Sequence, residues 1–175
     1  MQLAFTMAPG RGDTDRLLAR LADDLTTRGL RLCGTVQINT ARATAAHCDM
    51  DVRVLPDGPV LRISQNLGTR SRGCRLNPEA LEAAVGLVAA RLQGGADLVL
   101  INKFGKHEAE GRGFRDVIAM ALDRDIPVLV GLNRLNQTAF ETFAGGCAVS
   151  LPPERKAIGK WIEGVVHTPF CLLDC

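Results

Sequence analysis

Gly12, Asp13 and Thr14 stand where a phosphate-binding loop of the form GxxxxGK[ST] would carry its second glycine, its lysine and its hydroxyl. Such a loop wraps backbone N–H groups around phosphate oxygens, adds the lysine's charge and offers the hydroxyl to magnesium. In this register Met7 replaces the first glycine and Asp13 the lysine, so two of the four defining positions are lost. A carboxylate ~4 Å from one phosphate charge is opposed by roughly 4 kcal/mol at an effective dielectric of 20. Asp13 must therefore turn away as a helix cap, or be bridged by a cation, or no phosphate sits there; the expectation is that it or Thr14 caps the following helix. Gly10, Gly12 and Thr14 remain as candidates to cradle an anion.

A second group of chemistry-bearing residues follows the apolar run Leu98 to Ile101. Asn102 ends that run where a magnesium-holding aspartate would be expected. Lys103, Gly105, Lys106, Glu108, Glu110, Gly111, Arg112 and Gly113 then crowd into one loop, and charge of this density at the end of a buried strand favours a site over a plain solvated surface. Lys106 would touch a phosphate and Glu108 orient a water. A third group is Cys48 and Cys74, set among His47, Asp49, Arg72 and Arg75. Arg72 and Arg75 suit phosphate geometry, and would also lower a neighbouring thiol's pKa. The two cysteines are candidate soft-metal ligands if they meet in space. Cys33 and Cys147 lie in or beside apolar strands and are expected in the core. Cys171, Cys175 and His167 fall in a short tail. No serine occupies a GxSxG elbow and His47, His107 and His167 have no catalytic spacing, so Ser-His-Asp hydrolysis has no support.

The loop Asn102-Lys103-Phe104-Gly105-Lys106-His107-Glu108 resembles the Asp-Glu-Ile-Gly-Lys-Met-Glu pattern of the small thermophilic-type nucleoside-triphosphatases. More closely, Cys48-Asp49-Met50, the runs Ile63 to Gly68 and Arg72 to Leu76, and the loop from Asn102 to Gly113 resemble bacterial domain-of-unknown-function family 2478, from residue 1 to about 165. Some members of that family carry the label of molybdenum-transporter ATP-binding proteins, although no transporter signature is visible in this chain. The resemblance implies a P-loop fold and carries over Gly105, Lys106 and Glu108. The acidic pair of the triphosphatase pattern has become Asn102 and Lys103, which removes the usual residues for magnesium binding and water activation. The cofactor is left open, magnesium with a nucleotide being the one such a pattern would take.

These residues need a frame to position them. Gln2 to Thr6, Arg31 to Ile38, Leu98 to Ile101, Pro127 to Leu132 and Ala148 to Leu151 read as strands. Helical spacing follows the first of them in Leu17, Leu18, Leu21 and Leu25. It recurs in Leu81, Val85, Val88 and Leu92 behind Asn77-Pro78, in Phe114 to Leu122, from Asn133 past Phe143, and from Pro153 to Val166. The alternation predicts an α/β fold with a mainly parallel sheet flanked by helices. Met50 to Leu55 and Val60 to Ser64 around Pro56-Asp57-Gly58 predict an inserted β-hairpin at an edge. Residues 1–166 are expected to form one domain and 167–175 a tail. In such sheets ligands bind beyond the carboxyl ends of the strands, where the loops 7–14 and 102–113 should lie.

With 175 residues, 46% hydrophobic and 23% charged, the chain can bury roughly 70% of its unfolded surface and is expected to be ordered almost throughout. A net charge of +2 without a Lys/Arg stripe argues against nucleic acid. No export signal or membrane-length apolar run is present, so the expectation is a cytoplasmic protein with free thiols and no membrane insertion. The partner expected is a small phosphorylated ligand bound with weak or absent hydrolysis. The alternative is a non-catalytic module for a metal or a molybdate-like oxyanion, built on Cys48, Cys74 and the same arginines.

Overall fold

In the computed structural model, residues 2–40, 49–65 and 75–167 are described. Seven strands form one sheet in the order β4-β3-β2-β5-β6-β1-β7. They are β1 (Leu3–Thr6), β2 (Leu32–Thr40), β3 (Asp49–Val54), β4 (Val60–Arg62), β5 (Leu98–Asn102), β6 (Val128–Gly131) and β7 (Ala148–Leu151). The β2-β5-β6-β1-β7 neighbours are parallel, and β3 and β4 continue the sheet antiparallel beyond β2. The α/β reading and the edge hairpin are both borne out. Helices α1 (Asp13–Thr27), α2 (Pro78–Leu92), α3 (Lys106–Ala109), α4 (Arg115–Leu122), α5 (Gln137–Ala144) and α6 (Arg155–Val165) complete the chain.

The central strands are apolar on both faces because helices cover both. Val99, Ile101, Val128 and Val130 face a cluster with Leu81, Val88 and Leu92 of α2, Val117 and Ile118 of α4 and Phe140 of α5. Leu98, Leu100 and Leu129 face the other way, onto Leu18, Leu21 and Leu25 of α1 and Ile158 and Ile162 of α6. Each such leucine contributes about 1.5–3 kcal/mol on burial. Strands buried in this way read as continuous hydrophobic runs, which is how β5 and β6 were legible.

Local signals held at α2: Asn77 is its N-cap and accepts from the Ala80 N–H at 3.3 Å, with Pro78 in the first turn. They failed at α1. Its N-cap is Gly12, at φ 78°, with no side-chain cap bond. Asp13 and Thr14 instead occupy its first turn, because a glycine in the left-handed region reverses the chain one residue earlier than a capping side chain would. The loop 102–113 holds the short helix α3, and a 3-10 turn at Arg134–Asn136 precedes α5 where one continuous helix was expected. Cys33 is buried as expected, but Cys147 is exposed, since the Gly145-Gly146 turn carries it outside the sheet before β7 begins. Among the described residues, no helix is long and apolar enough to cross a membrane.

Candidate functional site

The loops after β1 and β5 meet the ends of β2 and β3 at a cleft of about 890 Å³. Among the described residues, Arg11, Arg16, Arg75, Lys103 and Lys106 line it with two acids, Asp15 and Glu108. Both acids are hydrogen-bonded within the protein, and Arg16 and Lys106 have acidic neighbours of their own in Asp13 and Glu110.

Asp15, 5% exposed, is the centre of a carboxamide network that runs from the buried Asn102 and Gln37 to the exposed Asn39. Its Oδ2 accepts from Asn39 Nδ2 at 2.6 Å, and Asn39 Oδ1 accepts from Gln37 Nε2 at 2.7 Å. Asn102, 1% exposed at the end of β5, donates from Nδ2 to Asp15 Oδ1 at 3.2 Å and accepts from the Gln37 N–H at 3.2 Å. The strand-end side chain is thus a carboxamide that stabilises a carboxylate arriving from α1. Two amide donors satisfy the charge in place of a cation, which is how a buried carboxylate remains tolerable.

Glu108 is buried as well, at 2% exposure. Its Oε2 accepts from the Gly105 N–H at 2.8 Å and its Oε1 from the Phe114 N–H at 3.3 Å. Burial pushes its pKa up from the usual carboxylate value, against the opposing pull of the Gly105 and Phe114 N–H groups. The side chain pins both ends of the loop that carries Lys106. A second clamp is Glu82 of α2, whose Oε1 accepts from His107 Nε2 at 2.6 Å and from the Gly113 N–H at 3.1 Å. Lys106 itself is exposed, 3.6 Å from Glu110.

The loop 7–14 is closed on itself. The Ala8 N–H donates to Thr14 Oγ1 at 2.9 Å and the Asp13 N–H to the Gly10 carbonyl at 3.2 Å. Asp13 lies over Gly10 and pairs with Arg16. Hence two N–H groups of the loop are already spent.

Of the residues singled out from sequence, Gly12, Arg75, Asn102, Gly105, Lys106 and Glu108 line one cleft, and Gly10 and Thr14 are not among its lining residues. Arg75 donates from Nε to the Gln65 carbonyl at 3.2 Å. Arg72, Cys48 and Cys74 lie outside the described residues, as do Cys171 and Cys175. The residues that sequence reasoning passed over are Asp15, Arg11, Arg16, Gln37 and Asn39. Two signals pointed to them: a second acid directly after the hydroxyl position, and carboxamides at alternate positions at the end of a strand, hence on one face.

The residues present do not fit a strand-end magnesium site. Asn102 has no charge to offer, Asp15 is held by two amides, and the Thr14 hydroxyl is bonded to the loop. Among the described residues, no three His, Cys, Asp or Glu side chains gather as metal ligands.

The family described as protein of unknown function (DUF2478) matches residues 3–161. A curated relative, the molybdenum import ATP-binding protein ModC 2 of Bradyrhizobium diazoefficiens, is 38% identical over 149 residues, 85% of this chain and 17% of that protein. The chain therefore spans less than a fifth of the relative's length. The solution structure of a human cancer-related nucleoside triphosphatase matches with a TM-score of 0.59 at 18% identity, covering 86% of this chain and 87% of that one. At that identity the likeness is one of fold.

Proposed function

The chain belongs to the DUF2478 family of proteins of unknown function, and from that premise we propose that it binds a nucleotide or another small phosphorylated ligand, with little or no hydrolysis. The observation that carries this reading is the cleft at the strand ends, where five cationic side chains converge and both acids are held by internal hydrogen bonds. Arg11, Lys103 and Lys106 supply the charge that a phosphate-loop lysine would, and Arg75 adds a guanidinium from the hairpin side. The fold shared with a nucleoside triphosphatase supports the choice of ligand.

Weak turnover follows from what surrounds that charge. Phosphoryl transfer rests on positioning and on charge stabilisation, ordinarily with a metal between phosphates and a strand-end acid. Asn102 stands at that place, and Glu108 spends both oxygens on backbone N–H groups. Purified protein is expected to be protected thermally by ATP and to hydrolyse it far below the enzyme median of ~10 per second. Turnover near that median, abolished by Lys106→Ala, would contradict the reading.

A second reading rests on one observation, the name of the 38% identical relative. On it, the chain serves molybdenum uptake as a binding module for a metal or an oxyanion. Protection by molybdate and not by ATP in the same thermal-shift measurement would favour it.

A further inference from the structure

The cleft is chemically divided, and the cationic half alone does not account for it. Antiparallel pairing sets Asn39 opposite Met50 and Gln37 opposite Val52. It continues through Asp51 opposite Arg62, which brings Ile63 beside Met50, and the Ile63 N–H donates to the Met50 carbonyl at 2.9 Å. Directly opposed residues project from the same face. Two rows therefore cross the ribbon, Asn39-Met50-Ile63 and Gln37-Val52-Leu61, each starting at a carboxamide and becoming apolar toward the hairpin. Leu76, bridged to the ribbon through Ser64, joins Leu81 at the start of α2 and Phe114 to extend the apolar lining.

Asn39 marks the seam between the halves. Its Nδ2 is 4.0 Å from where a Cβ on Gly12 would sit, so the carboxamides adjoin the loop after β1. An inorganic anion would occupy only the cationic rim. It would leave uncovered the apolar lining, where the half-buried Met50 and Leu76 stand over the buried Val52, Ile63, Leu81 and Phe114, in a cleft whose volume is that of a small-molecule pocket.

We infer that the cleft takes a phosphorylated planar heterocycle whose ring lies on the apolar floor beside the β3–β4 hairpin, with its polar edge at Gln37 and its phosphates at Arg11, Lys103 and Lys106. This deepens the phosphate-binding reading and rests on it. An aliphatic ester would cover the same floor but offer no donor to Gln37 Oε1, the one carboxamide atom that the Asp15-Asn39-Gln37 network does not engage. A ring with nitrogen and oxygen at its edge satisfies both surfaces. The non-phosphate part of the ligand is then chosen on the β2–β3 side of the sheet, away from β7.

Titration calorimetry with ATP, GTP and tripolyphosphate, on the wild type, Leu76→Gln, Met50→Gln and Lys103→Ala, tests the inference. Leu76 and Met50 are half-buried, so a neutral polar replacement leaves the core in place. At least one nucleotide is expected to bind about tenfold or more tighter than tripolyphosphate, the range one apolar contact region supplies. Leu76→Gln or Met50→Gln should narrow that gap without weakening tripolyphosphate, while Lys103→Ala weakens all three ligands. Equal affinity for nucleotides and tripolyphosphate overturns the ring site and spares the phosphate-binding reading. Nucleotide binding that Lys103→Ala leaves unchanged, with no tripolyphosphate bound, overturns the phosphate-binding reading itself. Should no ligand bind, both fall.

Discussion

At Asn102 a carboxamide stands beside Asp15 where a second carboxylate would change the charge of the strand end. Its Nδ2 lies 3.2 Å from Asp15 Oδ1, so Asn102→Asp would set two carboxylates against each other in a buried place. Two unit charges ~4 Å apart at an effective dielectric of 20 repel by roughly 4 kcal/mol. The variant is expected to melt at lower temperature than the wild type and to recover most of the loss in millimolar magnesium, which has no such effect on the wild type. A melting temperature indifferent to both changes would mean that the network around Asp15 is looser than its distances indicate. Glu108 gives a pH signature at the same scale. Its folded pKa is raised above the ordinary 4.5 because burial disfavours the charged form. For a raised pKa the folded state binds the proton more tightly, so the stabilisation is fully present below the unfolded value and is lost as pH rises through the folded one. The stability of the wild type relative to Glu108→Gln should accordingly fall as pH is raised from about 4, and then level off, in urea titrations at stepped pH. A difference that grows with pH would show that the N–H groups of Gly105 and Phe114 outweigh burial.

Elements bring these residues together through backbone contacts that tolerate little change. Gly34 of β2 has φ 119°, and a Cβ built there would overlap the Leu100 carbonyl of β5. No side chain relieves that overlap, since the obstacle is backbone in a parallel pair that includes Gly34 opposite Leu100. Gly34→Ala is therefore expected to cost on the order of 3 kcal/mol or more, measured by chemical denaturation, and to weaken ligand binding by displacing the end of β2 with Gln37 and Asn39. A cost near that of an ordinary surface substitution would mean that β2 and β5 can separate freely. The hairpin acts at this scale too. By extending the sheet beyond β2 it turns Met50, Val52 and Ile63 toward the loops, where a sheet ending at β2 would leave the cleft open on that side.

Across the whole molecule, what the sequence by itself determined was the layered architecture. Continuous apolar runs at β5 and β6, helical spacing in α1 and α2, and the Pro56-Asp57-Gly58 turn are local patterns, and each reports burial or reversal of its own segment. They sufficed for an α/β sheet with an edge hairpin and for naming loops 7–14 and 102–113 as candidates at the carboxyl ends of the strands, without showing whether the two meet. Parallel strands place their carboxyl ends on one side, but only the folded sheet brings Gly12, Asn102, Gly105 and Lys106 to one cleft. What the tertiary structure decided was the partner of each side chain. Asp15 belongs to α1, Asn39 and Gln37 to β2, and Asn102 to β5, so the hydrogen bonds between these elements span 24 residues in one case and far more in others. No spacing rule reaches across such separations. Glu108 stood out from sequence as a residue to orient water, and only the folding of its loop back on Gly105 and Phe114 shows both oxygens occupied. The helix cap at Gly12 was likewise decided by conformation, since a positive φ is a property of the folded turn, which glycine permits and its neighbours' side chains do not announce.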